Sequence, residues 1–396
     1  MVYSVSLLMM AKPTCRCSLF TRAFPQSLFF SILPSEIATS DSQSALPTHF
    51  PTDSTLSASG RGRIGVCPGI RIAGTGSYVP EQIVTNDDLV SLGCDSDWIV
   101  QRTGILERRK ASETEAASDL AYAAAISCLA DANVEAKDVD LLICATITPD
   151  HITPSTACLL QRKLGCIAPA FDINAACAGF MVGLVTAAQY VRCGMARNAL
   201  VIGSEVMSRT INATDVRTYP LFGDGAGAAL LQPCGKSSNK SQSSDGLLSF
   251  TLGAEGESEA LCIPGGGSRE PLTSDSLSVG RQYLQMDGRT VFKWAVRIVE
   301  DSVNDVLVAS GVRPEDVDVV ILHQANIRIL DAAIKHFSIP RERMVVNVDR
   351  FGNTSAASIP LALDQANREG RLQRGNLVLL CGFGAGLSWG TCLVRW

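Results

Sequence analysis

The chain has 396 residues, of which 46% are apolar and 18% are charged, and this balance excludes a disordered or fibrous protein. Its length exceeds the roughly 250 to 300 residues at which single hydrophobic cores stop growing, so two fused or duplicated halves are expected. The formal net charge of −5 argues against a nucleic-acid partner, and no run approaches the roughly 20 apolar residues of a membrane span, which argues against stable membrane insertion.

The N-terminal segment 1–62 differs in composition from the rest of the chain. Serine and threonine are frequent, and three bases precede the first acid, Glu36. Such a segment cannot build a packed unit, so 1–62 is interpreted as a disordered transit peptide, with a leader that carries no address as the alternative. Four prolines disfavour the amphipathic helix of a mitochondrial leader. We therefore expect the protein in the plastid stroma rather than in the mitochondrion. The apolar stretch from Val2 to Met10 would also suit a bipartite leader.

The fourteen cysteines do not indicate a disulfide framework. Six of them lie in apolar runs, where a free thiol behaves as a small buried hydrophobe. The sequence therefore predicts a reducing compartment. The cysteines in such runs are Cys128, Cys144, Cys158, Cys166, Cys381 and Cys392.

Three blocks of sequence recur with one constant displacement along the chain. The paired blocks are 138–144 with 316–322, 174–177 with 352–355, and 198–203 with 376–381. Each half predicts a helix, a buried strand, a loop, a helix and a strand, and the nearly continuous apolar strands are typical of sheets covered on both faces. We therefore predict a tandem α/β duplication with an N-terminal half at 63–235, a C-terminal half at 246–396 and a polar surface insertion at Pro233–Ser244.

Cys177 is the first candidate for chemistry. It follows a predicted strand end at Ala170–Ile173 and precedes apolar residues at helical spacing, which places it at the start of a buried helix. The unpaired N–H groups and the dipole of a helix N-terminus favour a thiolate, so we expect its pKa to fall below the free value of about 8.5. We predict a nucleophile here. A buried core cysteine is the alternative, and it is the interpretation that we prefer for the other cysteines.

His323 and Asn353 are the candidates in the second half. His323 follows an apolar strand, at the end where α/β proteins place their ligand sites, whereas His151 on a predicted loop is more typical of a structural histidine. Asn353 begins the helix that repeats the helix of Cys177, and an ordinary N-cap is its alternative role. A cysteine, a neutral histidine and an asparagine in one pocket would supply a nucleophile and two donors for an enolate oxygen.

Two glycine-rich segments, 222–228 and 381–386, lack the Lys-Ser/Thr ending of a phosphate loop, which argues against nucleotide binding of that type. Tight turns with close backbone approach suit them better. We expect the backbone N–H groups of Gly384 and Ala385, with that of Cys177, to form an oxyanion hole for a tetrahedral thioester adduct.

From about Ile64 to Trp396 the chain resembles the β-ketoacyl-acyl-carrier-protein synthase III family. The motifs that carry the resemblance are DWIVQRTGI (97–105), NAACAGF, LFGDGAGA, LHQANIRI, FGNTSAAS and GFGAGLSWG, all in order. The resemblance implies a thiolase-like duplicated α/β fold of five layers with two pseudo-twofold-related halves, and a homodimer. It also implies that Cys177 takes an acyl group from acyl-CoA, acetyl by default, while His323 and Asn353 stabilise the enolate formed when malonyl-acyl-carrier protein loses CO2. Both acyl carriers would be substrates, with no cofactor and no metal.

The resemblance further implies binding residues. Trp98, Arg102, Thr103 and Asn326 match positions of the CoA site, and a buried structural role is the alternative for Trp98. Lys293, Arg328 and Lys335 match a basic surface near the tunnel mouth that would attract CoA and an acidic carrier protein, with a solvated helix face as the alternative.

Two departures from the family pattern bear on substrate binding. Where the family has an adenine-facing Arg in Thr-Asp-Arg-Gly-Thr, this chain has Val216 followed by Arg217, so either Arg217 reaches in from a shifted loop or the CoA site is weaker. Thr153 stands where several members have a bulky aromatic that limits the acyl pocket, which leaves the primer length open.

Three other functions fit parts of the pattern. A thiolase would use a second thiol near the last glycine segment, for which Cys381 is one position early. A type III polyketide synthase also uses Cys, His and Asn but normally takes free malonyl-CoA. A catalytically silent scaffold of the same fold would lack one of the three residues, and all three are present. The motifs therefore favour decarboxylative condensation.

Overall fold

The computed structural model describes residues 59–93, 95–235 and 245–396. The predicted transit peptide lies outside the described residues up to residue 58, as do residues 236–244 of the predicted insertion. All described residues belong to a unit that extends from Asp53 to Trp396.

The first half builds a five-stranded sheet from strands that lie far apart in sequence. Its elements are β1 (Arg63–Val66), β2 (Ile70–Tyr78), β3 (Gln82–Thr85), α1 (Ser96–Thr103), β4 (Glu107–Lys110), α2 (Ala117–Ala132), β5 (Leu141–Ala145), α3 (Thr156–Leu164), β6 (Ala170–Ile173), α4 (Gly179–Arg192), β7 (Ala199–Glu205) and β8 (Gly225–Pro233). The sheet has the order β2-β8-β7-β5-β6, in which β5 pairs parallel with β6 and β7 while β8 pairs antiparallel with β2 and β7. Strand β6 is therefore an edge strand.

The second half repeats this arrangement. Its elements are β9 (Gly246–Glu257), β10 (Leu261–Cys262), α5 (Ser274–Ser278), β11 (Gln285–Met286), α6 (Gly288–Ser310), β12 (Val319–Leu322), α7 (Ile327–Phe337), α8 (Val348–Phe351), α9 (Ser358–Arg368), β13 (Leu377–Gly384) and β14 (Gly386–Arg395). The second sheet has the order β1-β9-β14-β13-β12, so the first half contributes β1 to the sheet of the second half.

The layers follow from the two-sided burial of the central strands. Every residue of β5, β7, β12 and β13 is buried, as the apolar runs predict. Helices α4 and α9 lie between the two sheets, α2 and α3 cover the outer face of the first sheet, and α6 covers that of the second with α7 packed on it. The predicted five-layered, duplicated α/β fold is confirmed.

The internal repeat keeps its displacement in the strands but not at the candidate nucleophile. Strand β5 corresponds to β12 at the displacement found in the sequence, whereas the short 3-10 helix Ala176–Ala178 corresponds to Ser355–Ala357, one position further along the chain. The left-handed residue that opens each short helix shows the same shift, with φ of 46° at Ala176 and 50° at Ser355. The sequence pairing of 174–177 with 352–355 is thus wrong by one position, because the loop before the second helix is longer by that amount.

The structure also bears on the cysteines and on membrane insertion. The eleven cysteines among the described residues are all free, and Cys158 is exposed on α3, which corrects its expected burial. Within the described ranges, no helix combines the length and apolar character that crossing a bilayer requires.

Candidate active site

Cys177 lies in the 3-10 helix between β6 and α4. Ala176 has a φ of 46°, so the chain turns sharply after the strand and presents Cys177 at the start of the long helix, as predicted. The hydroxyl of Ser388 at the start of β14 donates to the Ala175 carbonyl oxygen at 3.0 Å and fixes the loop before the cysteine. The side chain is almost fully buried, with 8% exposed.

The expected low pKa of Cys177 is wrong for this resting site. Burial raises the pKa of the thiol to about 12, a hydrogen bond with Ser355 lowers it, and the charge of Glu205 raises it further. The helix N-terminus does not compensate for the loss of water around a buried thiolate. Cys177 is therefore a neutral thiol at rest, and its reaction requires a proton acceptor.

His323 follows β12 and is also buried. Its backbone N–H donates to the Cys381 carbonyl oxygen at 2.8 Å, and its ring packs edge-on against Phe383 with centroids 5.3 Å apart. Ring nitrogen Nδ1 lies 2.6 Å from the hydroxyl oxygen of Ser358, which leaves Nε2 for a ligand. Burial lowers the pKa of His323 to about 3, so the imidazole is neutral at physiological pH, as the enolate role requires.

Asn353 is held at the junction of the two halves. Its backbone N–H donates to the Leu221 carbonyl oxygen at 2.8 Å, and its own carbonyl oxygen accepts from the Gly223 N–H at 3.1 Å. Side-chain Oδ1 accepts from the Ser355 backbone N–H at 2.8 Å, so the amide NH2 is the donor that remains for a ligand. The N-cap of the following 3-10 helix is Thr354, so the N-cap alternative for Asn353 is wrong, and its donor role stays a prediction.

The structure brings the three predicted residues into one cavity of about 140 Å³. Cys177, His323 and Asn353 all line it, together with Asn326, Gly384 and Ala385. The rest of the wall is apolar and includes Ile147, Met207, Leu221, Phe222, Leu261, Leu284, Met286, Val291 and Phe292. A mostly apolar cavity with a few convergent polar groups suits a small acyl chain beside a reactive thioester.

Gly384 explains how the end of β13 reaches the nucleophile. A Cβ atom on Gly384 would lie 2.8 Å from both the Cβ and the backbone nitrogen of Cys177, closer than real Cβ contacts allow. Glycine is therefore required for the backbone approach on which the predicted oxyanion hole depends. The oxyanion role of the Cys177, Gly384 and Ala385 N–H groups stays a prediction.

The predicted CoA residues fall into two groups. Arg102 lies over the ring of Trp98 at 4.8 Å, and Asn326 both lines the cavity and donates from Nδ2 to the Arg102 carbonyl oxygen at 3.0 Å. Thr103 differs, because its buried hydroxyl donates to the Ile99 carbonyl oxygen at 2.6 Å and accepts from the Ile105 N–H at 3.0 Å. The Thr103 hydroxyl thus has two partners within the chain beside Gly104, the left-handed residue that ends α1, and its CoA role stays a prediction.

Arg217 does not line the cavity. It is exposed, pairs with Asp215 at 3.1 Å, and borders a separate surface cleft that shares Leu284, Met286 and Gly288 with the cavity. An arginine in this position is accessible to a ligand that extends from the cavity into the cleft.

The predicted basic surface surrounds α6 and α7. Lys293, Arg328 and Lys335 are all exposed, and Arg328 and Lys335 are separated by two helical turns, on one face of α7. The Arg328 guanidinium lies 5.3 Å from the ring centroid of Phe292, a residue of the cavity wall. Arg328, and Lys293 next to Phe292 in the sequence, are therefore close to the cavity on its outer side, and Lys335 lies two turns further along α7.

Three other residues weighed in the sequence lie outside the cavity. His151 and Thr153 are exposed on the loop before α3. The effect of Thr153 on primer length stays a prediction. Cys381 is fully buried and bonds with Thr391 and Ser302, which makes it a core residue and removes the second thiol that a thiolase needs.

The sequence analysis missed the polar residues that lie behind Cys177, His323 and Asn353. Ser358 contacts His323, and Ser355 contacts both Asn353 and the carboxylate of Glu205. Glu205 is fully buried at the end of β7. An acid at the end of an otherwise apolar strand was the available signal for Glu205, and the motif that contains Asn353 was the signal for Ser355.

Comparisons with known proteins agree with this geometry. Residues 171–256 match the family model described as 3-oxoacyl-[acyl-carrier-protein (ACP)] synthase III, and residues 307–396 match the model of the C-terminal part of that enzyme. The chain is 59% identical over 345 residues to the β-ketoacyl-[acyl-carrier-protein] synthase III of Rhodopirellula baltica, covering 84% of this chain and 100% of that protein. It is 47% identical over 330 residues to the enzyme of the same name from Desulfitobacterium hafniense, covering 83% and 98%.

A solved structure shows the same likeness in three dimensions. The crystal structure of 3-oxoacyl-[acyl-carrier-protein] synthase III from Aquifex aeolicus superposes with a TM-score of 0.73 at 42% identity. The match covers 83% of this chain and 100% of that one.

Proposed function

Because the chain belongs to the β-ketoacyl-acyl-carrier-protein synthase III family, we propose that it initiates fatty acid synthesis by the three steps that its cavity can support. It is an acyltransferase of the condensing type. The observation that carries the assignment of roles is the single cavity in which Cys177, His323 and Asn353 meet.

The first step is acyl transfer. The sulfur of Cys177 attacks the thioester carbon of acyl-CoA, and CoA leaves after a tetrahedral adduct whose oxygen is held by backbone N–H groups. In the second step, malonyl-acyl-carrier protein loses CO2, and the electron pair of the broken C–C bond forms an enolate. Nε2–H of the neutral His323 and the amide of Asn353 donate to the enolate oxygen. In the third step the enolate carbon attacks the acyl-enzyme and releases the sulfur of Cys177 and a β-ketoacyl-carrier protein.

Intact mass of the full chain tests this assignment. The protein is incubated with acyl-CoAs from acetyl to long chain, beside Cys177→Ala, before and after malonyl-acyl-carrier protein is added. We expect an adduct that requires Cys177 and is discharged as β-ketoacyl-carrier protein, and the acyl-CoA that gives it identifies the primer. An adduct with no member of the panel would contradict the proposal and favour a silent scaffold.

Acetyl is the proposed primer, and no cofactor or metal takes part. The cavity of about 140 Å³ suits a short chain, and the three side chains supply the nucleophile and the enolate donors that the steps require. Full turnover after exhaustive treatment with a chelator is the expected result.

Carrier-protein docking is proposed at Lys293, Arg328 and Lys335, which are exposed, with Arg328 against Phe292 of the cavity wall. An acidic partner would be attracted there despite the negative net charge of the chain. We expect Lys335→Glu to raise the KM for malonyl-acyl-carrier protein about tenfold and to leave that for acetyl-CoA within twofold. An equal rise for both substrates would assign Lys335 to the CoA site.

A homodimer is proposed through β6. This strand is an edge of the first sheet, and the exposed side chains of Ile152 and Ile167, at 95% and 96% exposure, flank it. An unpaired strand edge and neighbouring apolar side chains favour pairing with a second copy.

The plastid stroma is the proposed location, with residues 1–62 acting as the transit peptide. The composition of this segment supports the proposal. A fluorescent protein fused behind residues 1–62 is expected in plastids, and a mitochondrial signal would overturn the choice of organelle.

A further inference from the structure

Cys177 requires a proton acceptor that the three predicted residues do not supply. Its thiol is neutral at rest, and it must lose a proton as its sulfur attacks a thioester. His323 is a poor base because burial holds the pKa of its imidazole at about 3. Asn353 does not ionise. The reaction therefore needs another group that can hold this proton.

A buried hydroxyl connects the thiol to a carboxylate. Ser355 is completely buried, its hydroxyl faces the Cys177 thiol, and the same hydroxyl donates to Oε1 of Glu205 at 3.0 Å. Ser355 has a φ of 50°, and its backbone N–H is bound by Oδ1 of Asn353, so the turn that places the hydroxyl is fixed from both sides. Because the Ser355 hydroxyl hydrogen points toward Glu205, the Ser355 oxygen is left to accept a proton from the Cys177 thiol.

Glu205 is held in place by neutral donors alone. Its carboxylate accepts from the Thr148 hydroxyl at 2.7 Å, the Thr146 hydroxyl at 3.2 Å and the Ile147 backbone N–H at 3.1 Å. Within the described part of the chain it forms no ion pair. A permanently paired carboxylate would be locked in its ionised form, whereas neutral donors let this one gain and lose a proton.

The ionisable groups that face Glu205 are few. Among residues 59–93, 95–235 and 245–396 they are the thiol of Cys177 and the thiol of Cys144 in β5, and the charge of Glu205 raises the pKa of both. Asp224 precedes Gly225, the residue that pairs with Glu205 in β8, but its carboxylate is bound by Ser208 and the Ala111 N–H. Burial raises the pKa of Glu205 to about 7, which is near the operating range of a general base.

We propose that Glu205 receives the thiol proton of Cys177 through the hydroxyl of Ser355 during acyl transfer. Glu205 acts through Ser355 and is a positioning residue that holds the proton, while Ser355 contacts the reacting sulfur. As the sulfur–carbon bond forms, the S–H proton moves to Oγ of Ser355 and the Ser355 hydroxyl proton moves to Oε1 of Glu205. When the thioester bond breaks, the same path returns a proton to the departing CoA sulfur, so the step consumes no external acid or base. The inference rests on the proposed function and adds a residue to it.

The test is the pH dependence of Cys177 reactivity in the full chain. Two rates are measured from pH 5 to 10 by peptide mass: alkylation of Cys177 by iodoacetamide, which needs no acyl donor, and acetyl transfer from acetyl-CoA. For the wild type we expect both rates to rise with a midpoint near neutrality and then level, because the carboxylate must be ionised to accept the proton.

The variants separate a proton path from a structural role. In Glu205→Gln and in Ser355→Ala we expect both reaction rates to be about 100-fold lower at pH 7. The rates should keep rising up to pH 10 without levelling, because ionisation of the Cys177 thiol itself then controls them. Glu205→Asp should retain a near-neutral midpoint at a reduced rate. Asp364→Asn is the control for loss of a buried carboxylate. Asp364 accepts from the hydroxyls of Thr75 and Ser77, pairs with Arg368 and lies outside the cavity wall, so the midpoint should not move.

Each outcome decides the proposal. The proposal would be overturned if both Glu205→Gln and Ser355→Ala react at rates within twofold of the wild type and with the same pH midpoint. If Glu205→Gln does not fold, Ser355→Ala and the wild-type pH midpoint still test the proposal. A wild-type midpoint above pH 9 would also overturn it. A wild type that is alkylated with a neutral midpoint but takes no acyl group would refute the proposed function and leave the proton path intact.

Discussion

At the scale of single residues, the site separates nucleophile, enolate donors and proton path among different side chains. His323 and Asn353 lie in the same cavity as Cys177, but only Asn353 also contacts Ser355. The two donors should therefore differ in their effect on acyl transfer, although both serve decarboxylation.

His323→Ala should still be acylated at a rate within a few-fold of the wild type but should lose condensation by a factor of about 100 to 1,000, because one donor to the enolate is gone. Asn353→Ala should lose condensation similarly and also be acylated more slowly than His323→Ala, because Oδ1 no longer fixes Ser355. Single-turnover acylation and release of CO2 from malonyl-acyl-carrier protein measure the two steps. Equal loss of acylation in the two variants would contradict these separate roles.

The ionisation of Glu205 also affects stability. Burial raises its pKa from 4.5 to about 7, so the folded state keeps a proton that the unfolded state releases between these values. The contribution is fully present below pH 4.5 and is lost as the pH rises through 7. At roughly 1.4 kcal/mol per pKa unit, the wild type loses about 3 kcal/mol over this window.

Glu205→Gln does not titrate, so its stability relative to the wild type should increase by about 3 kcal/mol from pH 4.5 to 8. Denaturant unfolding of both proteins at several pH values measures this difference. Burial lowers the pKa of His323, so His323 also changes stability with pH, but it does so equally in the two proteins and cancels. A difference that is constant with pH would show that Glu205 ionises at its ordinary pKa.

At the scale of elements, the site depends on a short turn that both halves share. In each half a left-handed residue, Ala176 or Ser355, opens a 3-10 helix that leads into the helix between the sheets. The end of β13 closes on the first of these turns, and only a residue without a side chain fits at Gly384.

Gly384→Ala should therefore displace Cys177. The expected result is acylation at least tenfold slower and a stability loss of about 1 to 3 kcal/mol from overpacking. Gly256→Ala is the control, because Gly256 also lies in a strand but a Cβ there meets nothing within 4 Å. Acylation rate and thermal unfolding are measured for both variants. Normal acylation in Gly384→Ala would mean that the turn can move without loss of function.

At the scale of the whole molecule, the two halves supply different parts of one site. Cys177 and Glu205 belong to the first half, and His323, Asn353, Ser355 and Gly384 belong to the second. The proposed homodimer would extend the first sheet at its β6 edge, beside the exposed Ile152 and Ile167.

Replacing Ile152 and Ile167 together with Lys should convert the dimer to a monomer without lowering the stability of the fold, because both side chains are at least 95% exposed in the single chain. Light scattering during size-exclusion chromatography gives the mass. Val308→Lys, a change at a residue of α6 with 70% exposure, should leave the dimer intact. A wild-type monomer would refute the homodimer.

Local sequence pattern was sufficient to predict the duplicated α/β architecture and the three residues of the cavity. Nearly continuous apolar runs are typical of strands buried on both faces, and a repeat in sequence produces a repeat in structure, so β5, β7, β12 and β13 could be predicted from local pattern. Cys177, His323 and Asn353 were identifiable because their residue types and positions at element ends carry specific chemistry.

The protonation states and the residues behind the site, in contrast, emerge only from the folded chain. The pKa of a group depends on which atoms surround it, so the helix start at Cys177 predicted a low pKa while burial produced a high one. The contact of Ser355 with Glu205 joins residues 150 positions apart, and neither local pattern nor the internal repeat indicates that they meet. Thr103 likewise matched a binding motif, but its hydroxyl is bound within the turn that ends α1.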